Sequence, residues 1–240
     1  MRIIKLKNYQ FIHNRYLFNS IKNTRLLNNF KKTFNDLQID KYHSENKDPK
    51  YPTRLRRYSN YNININDDQI KINHNPITTF QQNVKDKRKN KREFELIKSI
   101  YDPILLEILN IGISYTKLME PNCNNFNISV HQVRQMVYPN ITSHNSIEGI
   151  HQDGCDYIIS AFVIDKYNIT NGKSIIYDKN KNEIYQTILK KNEYIFQNDK
   201  DLYHYITPIK YHNNHNNHNN HNHKNKFGYR DIVGLDIQIL

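Results

Sequence analysis

Apolar residues recur at helical spacing in one long stretch of this chain. Ile104, Ile108, Ile111, Tyr115 and Leu118 repeat every three or four positions, the period of a helix that buries one face. Asp102 and Pro103 stand at its start and Pro121 just beyond it. An Asp caps open backbone amides, a Pro suits the first helical turn, and a later Pro stops continuation. Such a stripe braces a sheet and carries no chemistry of its own. From residue 128 onward the pattern changes to short apolar-rich runs, at about 128–138, 156–165, 173–178, 184–189, 193–197, 202–207 and 229–239. Asn, Asp, Gly and Lys turns separate them, which predicts a β-sandwich or barrel. Two alternating segments, 61–65 and 69–72, read as short half-buried strands. Arg54, Arg56 and Arg57 precede them, on a loop or edge strand.

Composition narrows this picture. A chain of 240 residues fits one domain with its own core. No apolar run approaches the roughly 20 residues that cross a bilayer, so a soluble protein is expected. Two cysteines, Cys123 and Cys155, make no disulfide framework and point to a reducing, intracellular compartment. Cys155 reads as a small buried side chain. The net charge of +12 would fit a nucleic-acid binder, but its distribution argues against one. Residues 1–35 hold eight Lys and Arg and no acid, leaving 27 basic against 23 acidic residues in the remainder. That first segment reads as a basic leader, either disordered or a mitochondrial targeting peptide, and residues 36–240 as the domain. Location is therefore cytoplasmic or mitochondrial. The dense basic run Lys85–Arg92 reads as a solvated connector. A low-complexity tract at 212–226, with His212, His215, His218, His221 and His223, reads as a polar loop insertion without the apolar residues to fold.

Candidate chemistry lies at Glu148-Gly149-Ile150-His151-Gln152-Asp153-Gly154-Cys155-Asp156, which runs into the apolar segment 157–164. Side chains alternate along a strand, so His151 and Asp153 would leave one face of the backbone together. An imidazole and a carboxylate are two corners of the 2-His-1-carboxylate triad that holds ferrous iron with open positions. His204 is the candidate third corner. A His-x-acid triplet is weak alone: His43-Ser44-Glu45 is another, in a polar stretch with no strand after it. Context separates the two. The first is followed by a buried-looking strand, by His204, and by Arg230 in a late strand, where a guanidinium can grip a carboxylate in bidentate fashion.

Four segments carry a resemblance to a known family. They are Glu148–Gly154, Asn168-Ile169-x-x-Gly172-x-Ser174-x-Ile176-Tyr177, His204-x-Ile206-Thr207-Pro208 and Gly228-Tyr229-Arg230-Asp231. The chain resembles the 2-oxoglutarate- and iron(II)-dependent dioxygenases that include bacterial free-amino-acid hydroxylases. Tyr51–Tyr58 is similar to the family's early Arg-rich signature, and His131-Gln132-x-Arg134 to the strand before the iron motif. The resemblance covers roughly residues 50–240. It implies a mainly β fold with flanking helices around a double-stranded β-helix core of the jelly-roll, cupin-like type. It further implies iron(II) on His151, Asp153 and His204, and 2-oxoglutarate as cosubstrate, its distal carboxylate on Arg230. Molecular oxygen would be consumed, succinate released and a small substrate hydroxylated, with a free amino acid as the prime example. Arg134, with Gln132 beside it at like parity, is the candidate seat for that substrate's carboxylate. The alternative from another class is a non-catalytic metal-binding β-barrel or binding protein, separated by whether iron(II) drives succinate formation.

Overall fold

The computed structural model describes residues 11–17, 21–43, 48–67, 69–81, 91–145, 147–212 and 226–240. In chain order the elements are β1 (Phe11–Arg15), α1 (Ile21–Lys32), β2 (Gln38–Ile39), β3 (Arg54–Asn66), β4 (Gln69–Asn75), β5 (Thr79–Phe80) and β6 (Arg92–Glu93). Then come α2 (Pro103–Met119), β7 (Asn125–Val137), β8 (Tyr157–Tyr167), β9 (Ile169–Asn171), β10 (Ser174–Tyr177) and β11 (Glu183–Thr187). The last are β12 (Glu193–Asn198), β13 (Tyr203–Ile206), β14 (Ile209–Tyr211) and β15 (Gly228–Ile239).

The main sheet runs β1-β12-β8-β15-β7-β3-β2, with β4 also pairing β3, and every one of these pairs is antiparallel. Opposite it lie the smaller pieces β11-β10-β13 and β14-β9. This is the double-stranded β-helix, mainly β with two flanking helices. Each face of the main sheet has its own apolar partner. On the outer face Ile128, Val130, Val233, Leu235 and Ile237 pack with Leu105, Ile108 and Leu109 of α2 and Phe30 of α1. On the inner face Val133, Ile232, Ala161 and Val163 meet Ile176, Leu189, Leu202 and Ile206 from the smaller sheet and the loops around it.

Helix α2 begins where its caps predict. Asp102 accepts a 2.8 Å hydrogen bond from the Ile104 amide, and Pro103 occupies the first turn. Two regions differ from their sequence reading. Within the basic leader, Phe11–Arg15 pairs with β12 along the sheet edge, and α1 contributes Leu27 and Phe30 to the outer core. Spaced apolar residues between Lys and Arg are what such an amphipathic cover requires. Arg54, Arg56 and Arg57 lie in the interior strand β3, between β7 on one side and β2 or β4 on the other. All three are buried. Most of the Asn/His tract, residues 213–225, lies outside the described residues.

Candidate metal centre

Three antiparallel strands set a grid on the inner face. Arg54, Gln135 and Arg230 stand in one row across β3, β7 and β15; the next rows are Arg56-Val133-Ile232, Tyr58-His131-Gly234 and Asn60-Ser129-Asp236. Rows repeat every second residue because the strand period is two. Over this grid a cavity of about 100 Å³ is lined by Arg54, Arg56, Arg92, His131, Glu148 and Asp236 together with His151, Asp153 and His204.

His151 and Asp153 are not on a strand. They sit on the loop before β8, and only His151 is bridged, by a reciprocal pair of backbone hydrogen bonds with His204 (3.1 and 2.9 Å). Asp199 shapes the rest of that loop. Its buried carboxylate accepts the backbone N–H groups of Asp153, Gly154 and Cys155 at 3.2, 2.6 and 3.3 Å. Gly154 takes a positive φ of 86°, which a side chain would resist. Curvature, rather than strand alternation, turns both side chains inward.

One donor atom from each of His151, Asp153 and His204 lies within 4.8 Å of the others. Nε2 of His151 is 3.6 Å from Asp153 Oδ1, and Nε2 of His204 is 3.4 Å from Asp153 Oδ2. The Gly149 carbonyl, 2.8 Å from His151 Nδ1, can only accept, so the proton resides on Nδ1 and the Nε2 lone pair faces Asp153. Burial opposes the charge of Asp153, but His204 and His151 beside it hold its carboxyl well below the ordinary range. Burial, reinforced by the neighbouring His151, lowers His204 to about 4, so it is neutral at pH 7 as a ligand must be. His151 moves up: burial would lower it, but the Asp153 hydrogen bond and charge outweigh that. Two imidazoles and one carboxylate form a donor set that suits ferrous iron with open positions.

Arg230 is 3% exposed and gives Nε and Nη2 to Gln135 Oε1 at 2.9 and 2.6 Å, and Nη1 to the Gly172 carbonyl at 3.2 Å. No carboxylate among the described residues pairs with it, and burial alone lowers it to about 10. Gly172 has a φ of 72°, and a Cβ there would stand 2.9 Å from Nη1. Only glycine lets the chain pass this close to the guanidinium. Such a buried, half-satisfied cation is short of an anion.

Arg134 and Gln132 require a correction. Both side chains leave the outer face of β7, the parity opposite to His131 and Val133. Arg134 forms a two-pronged pair with Asp231 at 2.6 and 2.7 Å, reaches Asn35, and lies over the Tyr229 ring. Gln132 donates to Thr33 at 2.6 Å. They tie the sheet to the segment after α1, away from the cavity. Arg92, read as part of a solvated connector, is instead 3% exposed and lines the cavity. Asp199 left no signal in the sequence, since its partners are backbone amides. Arg54-x-Arg56 carried the right parity for one face, and His131, at the head of the His131-Gln132-x-Arg134 motif, carried it on β7. The Cys155 thiol is pushed up by burial and donates to the Tyr157 carbonyl, as a structural cysteine does.

Comparison with known proteins agrees with this geometry. Residues 31–235 match the family described as 2OG-Fe dioxygenase, and the chain belongs to that family. It is a 2-oxoglutarate- and iron(II)-dependent dioxygenase, using iron(II), 2-oxoglutarate and molecular oxygen. Among solved structures the fold is similar to IDO from Bacillus thuringiensis, with a TM-score of 0.71 and 17% identity over 96% of this chain and 94% of that one. A bsmA homolog from Methylobium petroleophilum PM1 gives a TM-score of 0.71 and 17% identity, covering 90% of this chain and 82% of the other. The Fe(II)/α-ketoglutarate-dependent dioxygenase TqaL gives 0.58 and 12%, covering 90% and 74%. No curated protein sequence matches significantly. No helix among the described residues is long and apolar enough to cross a membrane.

Proposed function

We propose that His151, Asp153 and His204 hold the iron, that Arg230 seats the distal carboxylate of 2-oxoglutarate, and that the substrate is a free amino acid or a similar small zwitterion. The observation that carries the reading is the convergence of three donor atoms within 4.8 Å on the same side of the sheet as a buried Arg230 that lacks an acid. Bound there, iron would supply the oxidising chemistry that decarboxylates the cosubstrate to succinate and hydroxylates a C–H bond. The chain's own residues do the rest. Gln135 and the Gly172 carbonyl fix the Arg230 fork in place, so its charge meets the cosubstrate preorganised. Gly149 fixes the His151 tautomer, and the backbone pair between His151 and His204 keeps the two rings at a centroid separation of 4.3 Å. The small, charge-lined cavity favours a compact polar substrate and supports the amino-acid class, as does the family resemblance.

Purified protein given iron(II) and 2-oxoglutarate in air should form succinate, and a panel of free amino acids should raise that rate. Chelating the iron should stop it. Succinate formation that is absent, or indifferent to iron, would refute the assignment.

A further inference from the structure

The arginines of β3 divide by whether an acid inside the fold already neutralises them. Arg54 donates to Asp40 at 2.7 Å, and Arg57 to Glu95 at 3.1 Å. Arg56, between them, has no such ion pair among the described residues. It is 8% exposed and lies over the Phe94 and Phe80 rings, its guanidinium carbon 4.4 and 5.4 Å from their centroids. Its Nη2 is 2.5 Å from His131 Nδ1, and its Nε has no hydrogen-bond partner. A guanidinium has no lone pair to offer, so it must be the donor. The His131 proton is thereby placed on Nε2, which donates to Asp236 Oδ2 at 2.9 Å. Burial and the Arg56 charge both push His131 well below its ordinary pKa, so the ring is neutral. Arg56 thus holds a full charge against aromatic faces and a neutral imidazole, on the wall of the cavity that contains His151, Asp153 and His204. A buried cation in that setting is costly unless an anion completes it.

We propose that Arg56 seats the carboxylate of the oxidised substrate, aided by Arg92, whose guanidinium lies over the same Phe80 ring. Asp236, two rows along the grid on β15, marks the end for the ammonium group. Its side chain lines the same cavity, and its described hydrogen bond occupies only Oδ2. One cation and one carboxyl group, joined by a neutral His131, match the two ends of a free α-amino acid. Burial and the Asp153 charge push the Asp236 carboxyl well above its ordinary range, and an ammonium group beside it would favour its charged form. Arg230 and Arg56, neither of which has an acid partner among the described residues, then take the two carboxylates the reaction brings: Arg230 the cosubstrate's, Arg56 the substrate's. This rests on the iron assignment above, which places the substrate beside the triad.

The test uses the full chain with iron(II) and 2-oxoglutarate, following succinate as free L-amino acids are added. Where one stimulates, its methyl ester should be at least about tenfold less effective, because the ester loses the charge that a guanidinium recognises. Arg56→Lys should raise the half-saturation for that amino acid at least about tenfold, while half-saturation for 2-oxoglutarate moves less than about twofold. Arg230→Lys should do the reverse. Melting curves report folding, and if Arg56→Lys fails to fold, the ester comparison on the natural chain decides. An ester as effective as the acid would overturn the proposal, as would an Arg56→Lys that shifts 2-oxoglutarate instead. Succinate that no amino acid stimulates overturns this seat and the amino-acid substrate class together, while the iron assignment stands. Absence of iron-dependent succinate overturns the iron assignment and the seat with it.

Discussion

The two faces of one sheet use the same residue types for opposite ends. On β7 and β15 the outward positions Arg134 and Asp231 neutralise each other beneath the α1 segment, with bonds of 2.6 and 2.7 Å. One residue along on each strand, the inward positions Gln135 and Arg230 leave a cation without an acid. β3 repeats the contrast, Arg57 being paired with Glu95 on one face and Arg56 facing the cavity on the other. A satisfied buried charge is structure; an unsatisfied one waits for a ligand. Sequence neighbours therefore belong to different functions, because a strand turns its side chains over at every step.

The strongest attempt to break this contrast removes one of the three proposed iron ligands on the inner face. His204→Ala should lose iron-dependent succinate formation altogether and purify with background iron, measured by turnover and metal analysis. Turnover at the natural rate would show that the third donor lies elsewhere. On the outer face, Arg134→Ala should cost about 3–5 kcal/mol of stability, because it strands the buried Asp231 carboxylate. Denaturant melts measure that, and half-saturation for 2-oxoglutarate should not move. A shifted cosubstrate constant with intact stability would put Arg134 back in the site. Arg230→Ala should reverse the pattern, raising the 2-oxoglutarate KM roughly 10- to 100-fold, about 1.4–2.8 kcal/mol, through loss of a charge-assisted bidentate contact. Lys should rescue only part, lacking the planar fork. An unchanged KM with a lowered melting temperature would make Arg230 a structural residue like Arg134.

Asp199→Asn asks whether the loop that carries Asp153 needs this carboxyl, which burial and the Asp153 charge push up to about 7. The carboxylate gathers three backbone N–H groups from residues 153–155, so its loss should weaken iron binding about 10- to 100-fold. Titration with iron(II) under anaerobic conditions would show it; unaltered affinity would mean that the loop holds its shape alone. Deleting residues 212–223 should do least, changing turnover by less than about twofold, since lengthening or shortening a polar connection costs little. A folded deletion variant without activity would make the tract part of the site.

Much of the fold was legible because it is written locally. The α2 stripe and its Asp102-Pro103 start, and the short strands after residue 128, depend on spacing and capping within a few residues. So does the nearness of His151 to Asp153. The length of β3 was hidden, since a strand with a polar cavity on one face and an ion-paired Arg57 on the other does not alternate apolar with polar. Phe11–Arg15 was hidden for another reason: an edge strand gains its partner, β12, from a segment about 180 residues away.

From the sequence alone came the inventory: a β-rich chain, a His-x-Asp pair, a distant His and a late-strand Arg. Tertiary structure decided their relations. It put His204 against His151, turned Arg230 inward and Arg134 outward, and drew Asp199 under the Asp153 loop. The physical reason is that parity and spacing fix which side chains share a face, whereas only the packing of the helices against one side settles which face is core and which is cavity.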